Sequence, residues 1–218
     1  MKITKVCLVM LLLSAYPASA QDPSIVESAK LIPSGVSGLW GISVALEGDW
    51  ALVGKKDDNC YQGAVFFFEC DGDDWVERQR ITASDGVSDP NCMGAGDWFG
   101  WSVSLDRDRA IIGAAQKNHI AGSAYVFEHD GTQWMEIQKI SASDAANNGR
   151  FGYSVSIEGG LAVVGSPGAH VNGEETGAVY VFEHDGSAWN EMQRLEPSDA
   201  QDGRTPLRGP PNLAHLTP

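Results

Sequence analysis

The sequence predicts an all-β fold built from one unit that occurs three times. The segment 99–105, Phe-Gly-Trp-Ser-Val-Ser-Leu, is nearly repeated at 151–157, and a looser copy lies at 40–46. The spacing of 59 and then 52 residues is typical of a repeat array, in which each unit is one supersecondary element. Helical periodicity is nearly absent, whereas Val, Ile, Phe, Tyr, Trp and Gly are plentiful, and this composition favours strands.

Two further blocks follow in every copy. Variants of Gly-x-x-x-x-Phe-Glu begin at Gly63, Gly122 and Gly177. A closing block, an apolar residue followed by x-x-Ser-Asp, begins at Ile81, Ile140 and Leu195. Because the three blocks keep their order, we expect the three copies to share one structure.

The middle copy predicts four strands. Segment 101–105 alternates large and small residues, and 109–113 is a short apolar run, as in a strand buried on both faces. A third strand covers 123–129, and Asp130-Gly131 predicts a hairpin because a two-residue primed turn needs positive φ. The fourth strand is 134–140. Four antiparallel strands per unit is the architecture of a β-propeller blade.

The repeated blocks also carry a family resemblance. Phe-Gly-x-Ser-Val, then Ala-(Ile/Val)-(Ile/Val)-Gly-(Ala/Ser), then Gly-Ala-x-Tyr-Val-Phe resemble the FG-GAP repeats, the β-propeller repeats of integrin α-subunit heads and of many secreted bacterial proteins. The resemblance covers about residues 30–203, and the first copy is degenerate, with Trp40 in place of Phe. Within a repeat region of 21–203, it places the repeats at about 36–85, 95–144 and 147–199.

The resemblance implies a propeller of about seven blades, of which three are present. An open stack of blades leaves two unpaired ends. Segment 29–34 resembles the end of a fourth strand, and the tail 204–218 is irregular, Pro-rich and unlike the units. We expect the first part of a longer propeller, cut by truncation or a frame change. A native short form that oligomerises and completes the propeller as a ring is the rival.

The first 20 residues predict an export signal. Two lysines precede an apolar run at 6–15, which is too short to span a bilayer, and Ala18-Ser19-Ala20 is a small-residue cleavage site. The chain carries a net charge of −14, a balance that disfavours nucleic acid and anionic membrane as partners. We expect no membrane span and a secreted, extracellular or periplasmic location.

Positions that are filled alike in every unit are expected to serve folding. The Phe-Gly pair is interpreted as a ring between blades beside a glycine that allows close approach. His129 and His184 recur beside the Asp-Gly turn, and the Ser-Asp pairs are interpreted as turn formers, not as nucleophiles. The other histidines, His119, His170 and His215, are scattered without a Ser or Asp cluster.

Two loops that are peculiar to the first unit are better candidates for a site. They are the second-to-third strand loop around 55–62 and the insert 86–98, and both should emerge on one face of a propeller. Their candidate Ca²⁺ ligands are Asp57, Asp58, Asn59, Asp89, Asn91 and Asp97. The resemblance implies Ca²⁺ in such a loop, but Asp57-Asp58-Asn59 lacks the spacing and central Gly of that motif. Ordinary acidic loops are the favoured interpretation, and no cofactor is assigned.

The cysteines follow the same geometry. Cys60 and Cys92 lie in the two adjoining loops, whereas Cys70 ends the third strand towards the opposite face. In an exported chain we expect a Cys60–Cys92 disulfide and an unpaired Cys70, although three pairings of these cysteines are open.

The function predicted from the sequence is binding. The resemblance, the export signal and the lack of a catalytic motif favour a non-enzymatic extracellular binding or adhesion module, whose ligand is an unidentified protein or glycan. The alternative is a fragment of a propeller-based hydrolase or phospholipase-like enzyme. A third interpretation is a fragment of a larger surface protein with no independent activity.

Overall fold

A computed structural model describes residues 29–35, 40–72, 74–171 and 173–197. The predicted signal segment 1–20, the tail 204–218 and the last Ser-Asp pair lie outside these described residues. No helix in the described part of the chain is long and apolar enough to cross a bilayer.

The described residues form three four-stranded antiparallel sheets, one for each repeat. Sheet 1 contains β1 (Ser43–Glu47), β2 (Trp50–Lys55), β3 (Ala64–Asp71) and β4 (Asp74–Ile81). Sheet 2 contains β5 (Phe99–Asp106), β6 (Arg109–Ala114), β7 (Ser123–His129) and β8 (Trp134–Ile140). Sheet 3 contains β9 (Ser154–Glu158), β10 (Leu161–Ser166), β13 (Ala178–His184) and β14 (Trp189–Leu195). The strands of each sheet pair in chain order, as the sequence predicts.

The loop between the second and third strands differs among the sheets. Sheets 1 and 2 have single helical turns, α1 (Asp58–Tyr61) and α2 (Lys117–Ile120), whereas sheet 3 has a small hairpin of β11 (His170–Val171) and β12 (Glu174–Glu175). The pairing register of the third and fourth strands shifts at the same place in every sheet, between Phe67/Phe68, Val126/Phe127 and Val181/Phe182. This shared irregularity shows that the three units have one backbone plan.

Two Phe side chains form the layers between the sheets. Phe99 lies between sheets 1 and 2, Phe151 lies between sheets 2 and 3, and both are completely buried. A β-carbon on Gly63 would lie 2.0 Å from the Phe99 carbonyl oxygen, so only glycine permits this approach. The interpretation of the Phe-Gly pair as an inter-blade contact is confirmed.

Side-chain hydrogen bonds repeat across the same two layers. The Gln79 amide donates to the Trp134 carbonyl oxygen at 2.9 Å and accepts from the Trp134 N–H at 2.8 Å. Gln138 binds the backbone of Trp189 in the same way, at 2.8 and 2.7 Å. Each such pair satisfies a backbone N–H and C=O at the start of the next sheet's outermost strand.

The N-terminal segment 29–35 takes the place that the sequence predicts for it. The Ser34 N–H donates to the Glu77 carboxylate at 2.7 Å, as the Ser84 and Ser143 N–H groups donate to Glu136 and Glu191 at 2.9 Å. Segment 29–35 therefore lies against sheet 1 as the end of a preceding sheet's fourth strand would.

Sheet 2 lies between the other two sheets, with β5 in contact with both β1 and β9. The architecture is therefore an all-β stack of propeller-type blades that does not close on itself.

Candidate functional site on the loop face

The two loops that the sequence singled out do lie together. The Asp89 N–H donates to the Cys60 carbonyl oxygen at 2.8 Å, and the Trp98 N–H donates to the Tyr61 carbonyl oxygen at 2.9 Å. A disulfide joins Cys60 to Cys92, with the Cα atoms 4.5 Å apart, so the predicted pairing is confirmed. We call the surface formed by residues 55–62 and 86–98 the loop face.

The prediction of an unpaired Cys70 is wrong. Cys70 is disulfide-bonded, and no cysteine among the described residues is free, although Cys70 does lie near the end of β3, away from the loop face.

The turns α1 and α2 are left-handed. Three consecutive non-glycine residues have positive φ in each of them: Asn59, Cys60 and Tyr61 in the first, and Asn118, His119 and Ile120 in the second. Left-handed backbone costs about 1–2 kcal/mol per ordinary residue, so surrounding contacts must hold it. One such contact closes each turn: the Gly63 N–H donates to the Asp58 carbonyl oxygen at 3.0 Å, and the Gly122 N–H to that of Lys117 at 2.9 Å. Because the conformation recurs in sheet 2, it is not peculiar to the first unit, although sheet 3 has the β11–β12 hairpin in its place.

Asp89 organises the insert. Its carboxylate accepts hydrogen bonds from the N–H groups of Asn91, Met93 and Ala95 at 2.9, 2.5 and 3.1 Å. The hydrogen bond from Asn91, together with the others, lowers the pKa of Asp89 because these donors favour the ionised form. The role of Asp89 in the described structure is that of a loop-forming acceptor.

Asp97 closes the insert and binds a buried lysine. The carboxylate accepts from the Val87 N–H at 2.6 Å and from the Lys117 Nζ at 2.7 Å, and both charged side chains are buried. The lysine ammonium also donates to the Asp85 carbonyl oxygen. A buried pair of this kind fixes geometry more than it adds stability.

The three Ca²⁺ candidates of the first loop are bound to neighbouring side chains. Asp57 pairs with Lys55 at 2.6 Å, Asp58 pairs with Arg80, and the Asn59 amide donates to the Gln62 side-chain oxygen at 2.6 Å. Within the described residues, no group of three or more His, Cys, Asp or Glu side chains is arranged to hold a metal ion. Five of the six candidate side chains thus take part in separate hydrogen bonds or ion pairs, whereas Asn91 contributes its backbone N–H to Asp89.

A row of aromatic rings begins on the loop face and continues beyond it, through Trp101 of β5 to Tyr153 just before β9, and sequence reasoning missed it. Trp98 stacks on Trp101 with ring centroids 5.0 Å apart and an angle of 20° between the rings, and Trp101 lies 5.2 Å from Tyr153. The Lys56 Nζ lies 4.5 Å from the Trp98 ring centroid, within range of a cation–π interaction. We call Lys56, Trp98, Trp101 and Tyr153 the aromatic row.

The aromatic row runs from the insert 86–98 to the starts of β5 and β9, the first strands of sheets 2 and 3. Trp98 is tied to the insert by the hydrogen bond from its indole N–H to the Gly94 carbonyl oxygen at 3.0 Å. Tyr153, at the other end, is 41% exposed. Trp101 and Tyr153 fill the x of Phe-Gly-x, a position that the sequence analysis did not single out. The signal that could have revealed them is Ile42 at the same position of the first unit.

The histidines that recur with the repeat are packing residues. The His129 ring lies 4.9 Å from Trp50 and 5.2 Å from Trp134, and the His184 ring lies 5.3 Å from Trp189. His119 and His170 are exposed in different loops, and His215 lies outside the described residues.

The Ser-Asp pairs do form turns, and they also join sheets. The Asp85 carboxylate accepts from the Tyr125 hydroxyl at 2.7 Å and from the Lys139 Nζ at 2.8 Å. Burial alone would raise the pKa of Asp85, but these hydrogen bonds outweigh it and lower the pKa to about 2. In the next unit the Tyr180 hydroxyl donates to Asp144 at 2.7 Å, and burial with this hydrogen bond raises the pKa of Tyr180 to about 12.

Comparison with known families agrees with this geometry. Three stacked four-stranded sheets with a buried Phe-Gly contact at each junction define a propeller-type repeat protein. A family model described as FG-GAP repeat matches residues 75–127 and 134–182, and each match begins in the fourth strand of one sheet and ends in the third strand of the next. Residues 75–127 and 134–182 are therefore identified as FG-GAP repeats. No curated protein matches the chain.

Proposed function

We propose that this protein is an exported, non-enzymatic binding module that holds an extracellular protein or a glycan on its loop face. The observation that carries the proposal is the aromatic row. Trp and Tyr side chains offer large, rigid contact areas whose ordering costs little conformational entropy, and binding hot spots are enriched in them.

The surroundings of the row favour a preformed surface. The Cys60–Cys92 disulfide and the buried Asp97–Lys117 pair fix the insert from which Trp98 projects. A rigid surface loses little freedom on binding, so more of the contact energy appears as affinity. A disulfide also suits a protein that works in an oxidising compartment, which supports export.

The proposal is tested by screening the purified full chain against immobilised glycans and extracellular proteins. Each hit is then titrated against the chain by tryptophan fluorescence. We expect Trp101→Ala and Tyr153→Ala to weaken a hit about tenfold or more, because each removes a stacking ring from the contact. Met192→Ala is the matched control, since Met192 is an exposed apolar side chain on β14, away from the row.

Two results would contradict the proposal. If a hit binds both aromatic variants as tightly as it binds the wild-type chain, the aromatic row is not part of the binding surface and the observation that carries the proposal fails. If the bound ligand is cleaved, and the cleavage product accumulates with time, the alternative of a propeller-based hydrolase or phospholipase-like enzyme is correct. Export is tested separately, by finding whether the secreted chain begins at Gln21.

A further inference from the structure

Each junction between sheets contains the same apolar socket for a Phe ring. In sheet 1 the socket faces Phe99, and in sheet 2 it faces Phe151. The socket of sheet 1 consists of Leu52, Val65, Phe67, Ile81 and Ala83. The socket of sheet 2 consists of Ile111, Ala124, Val126, Ile140 and Ala142, the residues at the same repeat positions. Ten socket positions in two sheets are therefore buried by the sheet that follows.

Sheet 3 has the same socket, and it is open. The corresponding residues are Val163, Val179, Val181, Leu195 and Pro197. Val163 is 38% exposed and Leu195 is 43% exposed, whereas Leu52 and Ile111 are completely buried. A cavity of about 520 Å³ lies over this surface, and its lining includes Gly165, Val179 and Leu195. A face of this kind on a soluble chain indicates a surface that another molecule covers.

Sheet 3 also has the glycine that, in sheets 1 and 2, lets the backbone of the next sheet approach closely. A β-carbon on Gly54 would lie 2.1 Å from the Gly100 carbonyl oxygen, and one on Gly113 would lie 2.0 Å from that of Gly152. Gly165 holds the same position in sheet 3, but the nearest atom there is the Ser154 Oγ of its own sheet. Within the described residues, Gly165 thus has no incoming strand to make room for.

Two polar groups of the junction are present in sheet 3 as well. The Ser43 Oγ donates to the Gly100 carbonyl oxygen and the Ser102 Oγ to that of Gly152, both at 2.8 Å. Ser154 is the next in this series, and Gln193 continues the series of Gln79 and Gln138. Neither side chain makes a hydrogen bond to another described residue. By analogy with the two junctions, the Ser154 hydroxyl could donate to the carbonyl oxygen of a glycine on a following sheet. The Gln193 amide could bind the backbone at the start of that sheet's fourth strand.

We propose that the open face of sheet 3 binds a partner polypeptide that carries an FG-GAP repeat, through the first strand of that repeat. The partner's Phe ring enters the socket of Val163, Val179, Val181, Leu195 and Pro197. Its following glycine lies against Gly165 and accepts a hydrogen bond from the Ser154 hydroxyl. The geometry is continuous with the two junctions inside the chain, since it uses the same residues in the same places.

A second copy of this chain fits the face less well. Its first unit presents Trp40 where Phe99 and Phe151 stand in the other two units, and the indole ring is larger than the ring of Phe. In the second copy, Glu77 is also already bound by Ser34 of the same chain. At the two internal junctions the equivalent glutamates, Glu136 and Glu191, bind the serine that follows the preceding sheet. A repeat with Phe-Gly and an unoccupied glutamate at that position has neither obstacle.

The test uses the full chain and a labelled peptide of residues 97–106, which contains the Phe99-Gly100 strand of this protein. Fluorescence anisotropy is expected to show saturable binding. Phe99→Ala in the peptide should weaken it about 10- to 100-fold, the range for losing one buried large side chain. Val163→Asp in the protein should weaken it similarly, whereas Met192→Asp, on an exposed side chain outside the socket, should leave it within about twofold of wild type. Val163 is partly exposed, so the chain should fold with Asp there, and thermal melting checks this.

A second peptide carries a benzophenone side chain in place of Phe99, and the crosslinked residues are mapped by mass spectrometry. Crosslinks to Val163, Val179 or Leu195 support the proposal. No saturable binding at millimolar peptide, equal binding of the Phe99→Ala peptide, or crosslinks outside sheet 3 would overturn it. Self-association of the chain that Val163→Asp abolishes and Met192→Asp does not would also overturn it, because a second copy would then occupy the face.

Discussion

Replacing Phe151 by Ala removes the side chain that joins sheets 2 and 3. The ring is completely buried and makes edge contacts with Tyr180 and Phe182, with centroids 5.4 and 5.9 Å away. Truncation of a buried Phe leaves a cavity and costs about 3–5 kcal/mol of unfolding free energy. For a chain of this size the melting temperature should fall by roughly 6–20 °C, at about 2–4 °C per kcal/mol.

Urea unfolding followed by far-UV circular dichroism measures this loss. Phe99→Ala is the matched variant, since Phe99 is equally buried one junction earlier, and we expect an equal cost. Trp40→Ala is the contrasting control because Trp40 holds the same repeat position at the first sheet but is only partly buried. A cost for Phe151→Ala below about 1 kcal/mol, or no larger than that for Trp40→Ala, would refute the view that burial between sheets is the source of the stability.

Three further predictions concern the contacts that fix the stack. Gln138→Ala should lower the free energy of unfolding by about 1–3 kcal/mol, because the Trp189 N–H and C=O lose their partners. Gln193→Ala is the control and should change it by no more than about 0.5 kcal/mol. Equal effects of the two substitutions in urea unfolding would contradict the role assigned to Gln138. Cys60→Ala, Cys92→Ala and the double variant should each lose about 2–4 kcal/mol, since the disulfide closes a separation of 32 residues, and a double variant that loses the sum of both singles would rule out this explanation. The lowered pKa of Asp85 means that its ionised form stabilises the fold above the unfolded-state pKa of about 3.9, and that this contribution is lost as the pH falls towards about 2. The stability gap between wild type and Asp85→Asn should therefore narrow between about pH 4 and 2, and a gap that does not change with pH would show that Asp85 keeps an ordinary pKa.

The features that the sequence predicted well are those encoded by neighbouring residues or by the repeat itself. The four strands of each unit follow from alternation and from Asp-Gly turns. The structure has the expected hairpin, but its loop between His129 and Trp134 is 130–133, and Gly131 has positive φ whereas Asp130 does not, so the two-residue turn predicted at Asp130-Gly131 is wrong. The Phe-Gly contact and the place of segment 29–35 follow from the repeat, because an element that occurs in every unit must do what every unit needs. The Cys60–Cys92 pairing followed from placing two loops on one face.

For the candidate site, the sequence predicted which loops lie together but not which side chains bind one another. The loop face was located, but the partners of its acidic residues were not, since Asp97 binds a lysine 20 positions along the chain, in the loop of the next sheet. The left-handed turn at 59–61 was missed because Cys60 and Tyr61 give no local signal for positive φ. Trp101 and Tyr153 were not singled out, because they lie 52 residues apart in the sequence and meet only where sheets 2 and 3 stack.

By itself, the sequence determined the strands, their order within each sheet and the residues that face a neighbouring sheet, because strand pairing and alternation depend on residues close in the chain. Tertiary structure alone decided which groups meet across the sheets: Gln138 with the Trp189 backbone, Ser84 with Glu136, and Trp101 with Tyr153. These partners lie about 50 residues apart, and their contact depends on how the sheets stack. The same stacking leaves the socket of sheet 3 open, a property that no single repeat contains.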